Sequence, residues 1–175
     1  MRHHAAILLL SLALINCGPA RTGDAPAKFN LSSQDIAEGQ PIPAVHSCDG
    51  ANQAPSLSWS EPPAQTKSLV LVMDDPDDGP APYHHWGLYN IPASARSIPA
   101  GSAKAKAAMN DGREIGYTGP CPPKGDAPHH YHFKLYALDI AELPVQAAAQ
   151  VDTAEAEAKR HAIGRAELTA TYQRK

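Results

Sequence analysis

Short apolar segments separated by turn-forming residues recur from Phe29 to the end of the chain, and this pattern limits the fold more than any other feature. The 175 residues include 17 prolines and 12 glycines, spread through the body of the chain. Proline lacks a backbone N–H and glycine adds backbone freedom, so both interrupt long helices. Apolar segments of this length and spacing are typical of an all-β sandwich or barrel. The sequence therefore predicts a fold dominated by strands.

Six apolar segments are predicted as strands, and one of them is predicted to lie at the centre of a sheet. Residues 69–73 are apolar at every position, as in a strand covered on both faces. The stretch 93–110 lacks strand periodicity and is predicted to be a long surface excursion. The predicted strands are Phe29–Ser33, Ile42–His46, Ser56–Trp59, Ser68–Met73, His85–Ile91 and Tyr131–Leu138.

The C-terminal region predicts one short helix followed by a closing strand. Asp152 can cap the helix at its N-terminus, with Glu155 three residues later completing a capping box. Basic residues lie in the last turn, and Gly164 follows as a stop signal. Residues 167–172 then alternate between polar and apolar types, as the closing strand of the domain would.

The N-terminus predicts export from the cytoplasm. Residues 1–15 have a short basic start and an apolar core, which is typical of a secretory signal. Residues 14–17 resemble a bacterial lipoprotein box, in which Cys17 receives lipid, although Asn16 stands where a small residue is usual. The alternative is ordinary cleavage near residues 18–20. We interpret residues 1–20 as a leader, 21–28 as a flexible tether and 29–175 as the folded domain, located in the periplasm or in the outer membrane as a lipoprotein.

The charge of the chain argues against nucleic acid as a partner. The formal net charge is -3 at pH 7, and no basic run occurs. The membrane is expected as a partner only through the possible lipid on Cys17.

An unusual loop leads into the last strand of the central region. Residues 116–133 combine prolines, glycines, a cysteine and three histidines. In an extended chain from Pro128 onward, His129 and Tyr131 share one face with Phe133, while His130 and His132 point to the other. A histidine and a tyrosine hydroxyl would then lie side by side in a small polar pocket suited to an oxyanion. The alternative is a hairpin connection with a hydrogen-bonded structural histidine.

No metal site is predicted, although the chain contains clusters of acidic residues and of histidines, which are common metal ligands. The acidic turn 74–80 lacks the glycine and glutamate spacing of a calcium-binding EF-hand loop. Strand alternation sends His84 away from His85, and His130 with His132 away from His129, which leaves too few histidines on one side for zinc. We expect no metal and no cofactor.

Several ordered motifs resemble the phosphatidylethanolamine-binding proteins, specifically their bacterial Raf-kinase-inhibitor-like branch. The resemblance covers nearly all of the chain after the tether. Supporting pieces in the same order include residues 47–52, 55–59 and 110–111. The motifs that carry it are Asp75-Pro-Asp77, His85-Trp86 leading to Asn90-Ile-Pro92, Gly119-Pro-Cys-Pro-Pro-Lys-Gly125, and His129-x-Tyr131.

This resemblance implies a two-sheet antiparallel β-sandwich with a C-terminal helix and a small anion pocket at one end. The family commonly has arginine where this chain has His130, which leaves open whether a salt bridge to Asp77 forms. Asp78 makes the rim of the pocket more negative. The ligand-binding residues implied by the resemblance are Asp75, His85, Cys121, Pro122, Pro123, His129 and Tyr131.

Two cysteines remain once Cys17 is assigned to the leader or to lipid. Cys48 and Cys121 form an even pair, which in an oxidising compartment indicates a disulfide. Two free thiols are the alternative, since spacing along the chain does not show how close the two residues come.

The leading functional hypothesis is a non-enzymatic binding module of the bacterial envelope. It would hold a small anionic or phosphorylated ligand and, in addition, modulate a protein partner of unknown identity. An inhibitor of a serine protease or hydrolase is one alternative, and a weak ester or phosphoester hydrolase using His129 and Asp75 is another. A carboxylate such as Asp75 raises the pKa of a nearby histidine, so anion affinity is expected to fall as pH rises.

Overall fold

Two β-sheets packed face to face form the domain, with one helix on the outer side of the larger sheet. The computed structural model describes residues 27–98 and 105–175. The helix α1 spans Val151–His161. The predicted two-sheet sandwich with a short C-terminal helix and a closing strand is confirmed. The strands are β1 Ala27–Lys28, β2 Leu31–Ser32, β3 Leu57–Trp59, β4 Ser68–Asp75, β5 Tyr83–Pro92, β6 Ser97–Ile98, β7 Lys106–Ala107, β8 His129–Leu138 and β9 Ala162–Tyr172.

Strand β4 lies inside the six-stranded sheet, whose order is β1-β9-β8-β4-β5-β7. It pairs antiparallel with β5 on one side and with β8 on the other. All eight of its residues are buried, in agreement with the prediction of a covered central strand. The second sheet has the order β2-β3-β6 and covers one face of the first.

Two apolar cores flank the large sheet. Leu71, Met73 and Phe133 belong to the core between the two sheets. Val72 and Tyr136 point the other way and pack against α1. Neighbouring residues of a strand face opposite sides, so each long strand contributes to both cores. Polar residues at the strand ends are divided between the two faces in the same way.

Two predicted segments differ from the structure. Residues 42–46 do not form a strand: Ala44–His46 is a short 3-10 helix, although Ile42 is buried as expected. Pro41 and Pro43 lack N–H groups, which prevents a regular ladder there. Residues 93–110 were predicted to be a surface excursion, yet β6 and β7 lie within this stretch and Ala108 is fully buried.

The helix begins two residues earlier than a cap at Asp152 predicts, and without a side-chain cap. Gln150 is the N-cap residue and its side chain makes no capping hydrogen bond. Val151 is fully buried and donates its N–H to the Met109 carbonyl at 2.9 Å, so packing on the sheet fixes the start of the helix. The helix ends at His161, and Gly164 lies in β9 instead of terminating the helix.

Two residues before Phe29 already belong to the large sheet. Ala27 and Lys28, predicted as the end of the tether, pair in parallel with Gly164 and Arg165 of β9. The predicted leader, the lipidation candidate Cys17 and residues 21–26 lie outside the described residues. Within residues 27–98 and 105–175, no helix is both long and apolar enough to cross a bilayer.

Candidate functional site

Four of the predicted ligand-binding residues converge at one end of the large sheet. Asp75 ends β4, His85 lies near the start of β5, and His129 and Tyr131 begin β8. These ends meet because β4 runs antiparallel to both neighbours. All four residues are buried, with exposures of 7% or less. The structure therefore brings together the core of the predicted pocket, while the role of these residues as ligand contacts remains a prediction.

A β-bulge gives His85 its position. Met73 pairs with Trp86 while the next residue, Asp74, pairs with His84, so His85 is the extra residue between two pairs. Trp86 belongs to the core between the sheets, and the ring of His85 contacts Tyr131 of the same core at 5.4 Å between centroids. His85 and Trp86 therefore face the same side of the sheet, whereas consecutive residues of a regular strand face opposite sides. Bulges beside functional sites commonly re-aim a side chain in this way.

His129 is held by Asp75. The Nδ1 atom of His129 lies 2.8 Å from Oδ2 of Asp75. The other carboxylate oxygen accepts the backbone N–H of Asp77 at 2.9 Å, so the carboxylate is fixed from both sides. With its Nδ1–H donated to Asp75, the ring directs Nε2 toward the rim, where it lies 3.9 Å from Oδ2 of Asp126.

His85 is held by a backbone carbonyl. Its Nδ1–H donates to the carbonyl oxygen of Thr118 at 3.0 Å. Burial lowers the pKa of His85, and the raising effects of the Thr118 hydrogen bond and of the charge on Asp75 do not offset it. The expectation that a nearby carboxylate raises the histidine pKa is therefore wrong for His85, because desolvation is the larger effect.

The hydroxyl of Tyr131 is the unsatisfied donor of the site. It is buried next to Asp75, yet it has no hydrogen bond of good geometry with the described residues. Burial and the charge of Asp75 raise the pKa of Tyr131, so the group stays protonated as a donor. A buried polar group without a partner costs roughly 1–3 kcal/mol, which a bound oxygen atom would recover.

The tautomers of the two histidines determine what they can offer a ligand. Each ring uses its Nδ1–H in a fixed hydrogen bond, His85 to a carbonyl and His129 to a carboxylate. The Nε2 atom of a neutral ring is then an acceptor, and it becomes a donor only when the ring takes up a proton. An anion that accepted a hydrogen bond from either Nε2 atom would therefore bind together with a proton.

The proline-rich loop is tied to the segment around Cys48. The structure contains a Cys48–Cys121 disulfide with the Cα atoms 5.4 Å apart, so the alternative of two free thiols is wrong. The N–H of Gly119 donates to Oδ1 of Asn52 at 2.7 Å. A Cβ atom on Gly119 would meet the carbonyl oxygen of His46 at 2.1 Å, so only glycine fits this close approach. These contacts support the prediction of a fixed loop.

Three further predicted residues lie in that loop, which leads from Thr118 to His129. Pro122 is buried, whereas Cys121 and Pro123 are exposed. Because Cys121 is bonded to Cys48, its sulfur is not available as a nucleophile. The ligand contacts implied for Cys121, Pro122 and Pro123 remain predictions.

The other histidines of β8 point away from the site, as predicted. His130 is exposed and pairs with Asp77, with its N–H and its Nδ1 both 2.8 Å from Oδ2 of Asp77. The family commonly has arginine at position 130, and the sequence left open whether His130 contacts Asp77 in its place. In the structure His130 makes this contact. His132 pairs with Glu167 at 2.6 Å.

Sequence reasoning missed the residues that support His85. Asn110 is fully buried and donates from Nδ2 to the Thr118 hydroxyl at 2.8 Å, next to the carbonyl that orients the His85 ring. Its Oδ1 accepts the N–H of Glu114 at 2.9 Å. The signal in the sequence was slight: Asn110 precedes Asp111 in a motif that had been noted only as supporting the resemblance.

Known proteins share this fold and much of this sequence. Residues 32–173 match the family model described as phosphatidylethanolamine-binding protein. The crystal structure of YbcL of Escherichia coli, described as a new member of the mammalian PEBP family, matches with a TM-score of 0.80 and 34% identity, over 85% of this chain and 100% of that chain. The structure of a homologue from Chlamydia trachomatis, CT736, matches with a TM-score of 0.77 and 36% identity, over 86% of this chain and 100% of that chain.

A third relative has a name that concerns its location. LppC of Mycobacterium tuberculosis, named as a candidate lipoprotein, is 41% identical over 156 residues, which cover 87% of this chain and 77% of the relative. The family match, the shared fold and the ordered motifs agree. The chain belongs to the phosphatidylethanolamine-binding protein family.

Proposed function

We propose that the chain is a non-enzymatic binding module of the bacterial envelope that holds the phosphoryl or carboxylate group of a small ligand. The observation that carries the proposal is the Tyr131 hydroxyl, a buried donor without a good partner among the described residues. It lies beside His85 and close to the Asp75 carboxylate that orients His129. One hydroxyl and two imidazoles that donate when protonated suit the oxygen atoms of a small anion.

The envelope is proposed as the location on three grounds. Residues 1–15 have the pattern of a secretory signal, and Cys17 follows in a sequence like a lipoprotein box. The Cys48–Cys121 disulfide suits an oxidising compartment. The relative LppC is named as a candidate lipoprotein. Together these favour a periplasmic protein or an outer-membrane lipoprotein.

Binding is favoured over catalysis because, among the described residues, no hydroxyl or thiol hydrogen-bonds to His129. The pair of Asp75 and His129 resembles the base of a hydrolase, in which a carboxylate orients an imidazole. Cys121 is bonded to Cys48, and the tyrosines whose rings contact His85, Tyr83 and Tyr131, both have raised pKa values that make them poor nucleophiles. Weak ester or phosphoester hydrolysis is the second candidate, and the pair of Asp75 and His129 is the observation in its favour.

Replacing His129 by alanine is expected to weaken anion binding. Isothermal titration with O-phosphoethanolamine near pH 6 should show a loss of about 1.5–3 kcal/mol, the range for a hydrogen bond to a charged group. His132→Ala is the matched control, because His132 lies three residues further along the same strand, close to the candidate site, but faces the other side and pairs with Glu167.

Equal affinity of the wild-type protein and the His129→Ala variant would contradict the proposed site. Hydrolysis of a chromogenic phosphoester or carboxylester by the wild-type protein, lost in the same variant, would instead favour the enzyme. Binding without turnover supports the module.

Anion affinity is expected to fall as pH rises from 5.5 to 8.5. The Nε2 atom of His129 donates a hydrogen bond only in the protonated ring, because Nδ1–H is already donated to Asp75. An anion that accepts a hydrogen bond from Nε2 therefore binds together with a proton, so its affinity falls as the proton concentration falls. Sulfate is the suitable probe, since its own charge does not change there. A flat affinity curve for the wild-type protein would contradict the coupling, and His129→Gln should flatten it.

A further inference from the structure

A second group of ionisable residues lies on the opposite face of the large sheet, beneath α1. Asp74 of β4 is paired with His84 of β5, and Glu155 comes from α1. One ligand atom from each of the three lies within 4.8 Å of the others. Their exposures are 2%, 9% and 5%. The same alternation that directs Asp75 to the candidate anion site directs Asp74 to this group, which we call the helix-side cluster.

The imidazole of His84 is oriented as metal-binding histidines are. Oδ2 of Asp111 accepts the backbone N–H of His84 at 2.7 Å and lies 3.1 Å from its Nδ1. This leaves Nε2 facing Glu155, whose Oε2 lies 3.8 Å away. A carboxylate that fixes one ring nitrogen while the other faces the ligand set is the usual support of a metal-binding histidine.

Asp74 has an unsatisfied oxygen in the helix-side cluster. Its Oδ1 atom is buried and has no hydrogen-bond partner among the residues that the structure describes. Buried carboxylate oxygens normally accept hydrogen bonds or coordinate a cation, because desolvation is costly otherwise. The other oxygen, Oδ2, contacts the ammonium of Lys134.

Lys134 supplies the positive charge between the two carboxylates. Its Nζ contacts Asp74 and lies 3.7 Å from Oε1 of Glu155. The lysine side chain keeps 15% of its surface exposed, so its end can turn toward solvent. Glu155 is also contacted by Lys159 at 2.9 Å and by the Tyr136 hydroxyl at 2.6 Å. The carboxylates of Asp74, Glu155 and Asp111 thus meet the ammonium groups of Lys134 and Lys159 and the imidazole of His84.

We propose that Asp74, His84 and Glu155 form a binding site for a divalent transition-metal ion of the zinc class, in competition with Lys134. One imidazole and two carboxylates are a ligand set that zinc accepts, with a water molecule or a further group in the fourth position. The metal would join β4, β5 and α1 at one point on the face opposite the candidate anion site. The site involves none of the four residues proposed to hold the anion, and its test is separate from theirs.

Zinc titration of the full chain against a chromophoric chelator tests the site. We expect the wild-type protein to bind one equivalent through His84. His84→Ala should weaken that binding by at least about 100-fold, since loss of an outer partner of a metal ligand alone costs roughly 10–100-fold. Asp111→Asn, which keeps all three ligands, should weaken it by that smaller factor of roughly 10–100.

Lys134→Met distinguishes a metal site from a structural ion-pair network. Removing the competing ammonium should strengthen zinc binding by about tenfold, which corresponds to about 1.4 kcal/mol. His161→Ala is the matched control, because His161 also lies near two carboxylates, Glu157 and Asp139, but outside the helix-side cluster. The zinc affinity of the His161→Ala variant should equal that of the wild-type protein.

Cobalt absorption provides a readout that does not depend on folding stability, because low-coordinate cobalt has strong visible bands. We expect these bands in the wild-type and Lys134→Met proteins and their loss in His84→Ala. Absence of stoichiometric zinc binding in the wild-type protein, or binding that survives His84→Ala, would overturn the site. Unchanged affinity in Lys134→Met would overturn the competition by lysine.

Discussion

Replacing Cys48 and Cys121 together by serine is expected to lower the free energy of unfolding by about 4 kcal/mol. The disulfide joins residues 73 positions apart, and a bond that closes so long a loop removes much of the entropy of the unfolded chain. The chain-entropy relation for a loop of this length gives about 4 kcal/mol, within the range of about 2–5 kcal/mol for loss of a native disulfide.

Urea unfolding followed by fluorescence measures this effect. The wild-type protein in reducing buffer should unfold with the midpoint of the Cys48→Ser, Cys121→Ser double variant, and the variant should not respond to the reductant. Cys17 is unchanged in both proteins and serves as an internal control for thiol effects. A double variant as stable as the oxidised wild-type protein would show that the bond does not constrain the unfolded chain.

Replacing Phe133 by alanine is expected to cost about 3–5 kcal/mol of stability, the range for removal of a large buried aromatic side chain. Phe133 is fully buried in the core between the sheets, two residues after Tyr131 on the same face of β8. The cavity would lie directly beneath the candidate site. We therefore expect weaker anion binding as well as an earlier unfolding transition.

The neighbouring residue supplies the control for Phe133→Ala. His132→Ala removes a side chain from the opposite face, where it makes an ion pair with Glu167, and partly exposed pairs of this kind contribute about 0–1 kcal/mol. Thermal unfolding of both variants by circular dichroism makes the comparison. Similar losses in the two variants would show that the predicted division of β8 into a core face and an outer face does not govern its stability.

The strands and their faces could be predicted from the sequence because the hydrophobic pattern is local. In β8, alternation alone separated His129 and Tyr131 from His130 and His132, and the structure agrees. Burial of residues 69–73 in β4 likewise follows from their continuous apolar run and from the place of β4 between two strands.

Features set by contacts between distant segments could not be predicted. The bulge at His85 depends on how β5 pairs with β4, and periodicity within β5 does not reveal it. The helix starts at Val151 because that residue packs on the sheet, which overrides the capping pattern at Asp152. The lowered pKa of His85 follows from burial, whereas the sequence showed only the nearby carboxylate.

The helix-side cluster was missed for a related reason. Histidines alone do not indicate a metal site in this chain, because strand alternation divides them between the two faces of the sheet. Asp74 and Glu155 lie far apart along the chain, and the fold alone brings both next to His84.

The pairing of β1 with β9 determines how the domain would be presented by an N-terminal anchor. Ala27 lies beside Gly164, near the start of β9, whereas Tyr172 at the other end of β9 lies beside His129. At roughly 3.3 Å per residue, the strand from Gly164 to Tyr172 extends about 26 Å. Because β1 runs parallel to β9, the chain enters the domain at the end farther from His129. An attachment made through the N-terminus would therefore join the domain at the end of the large sheet opposite the candidate anion site and leave that site uncovered.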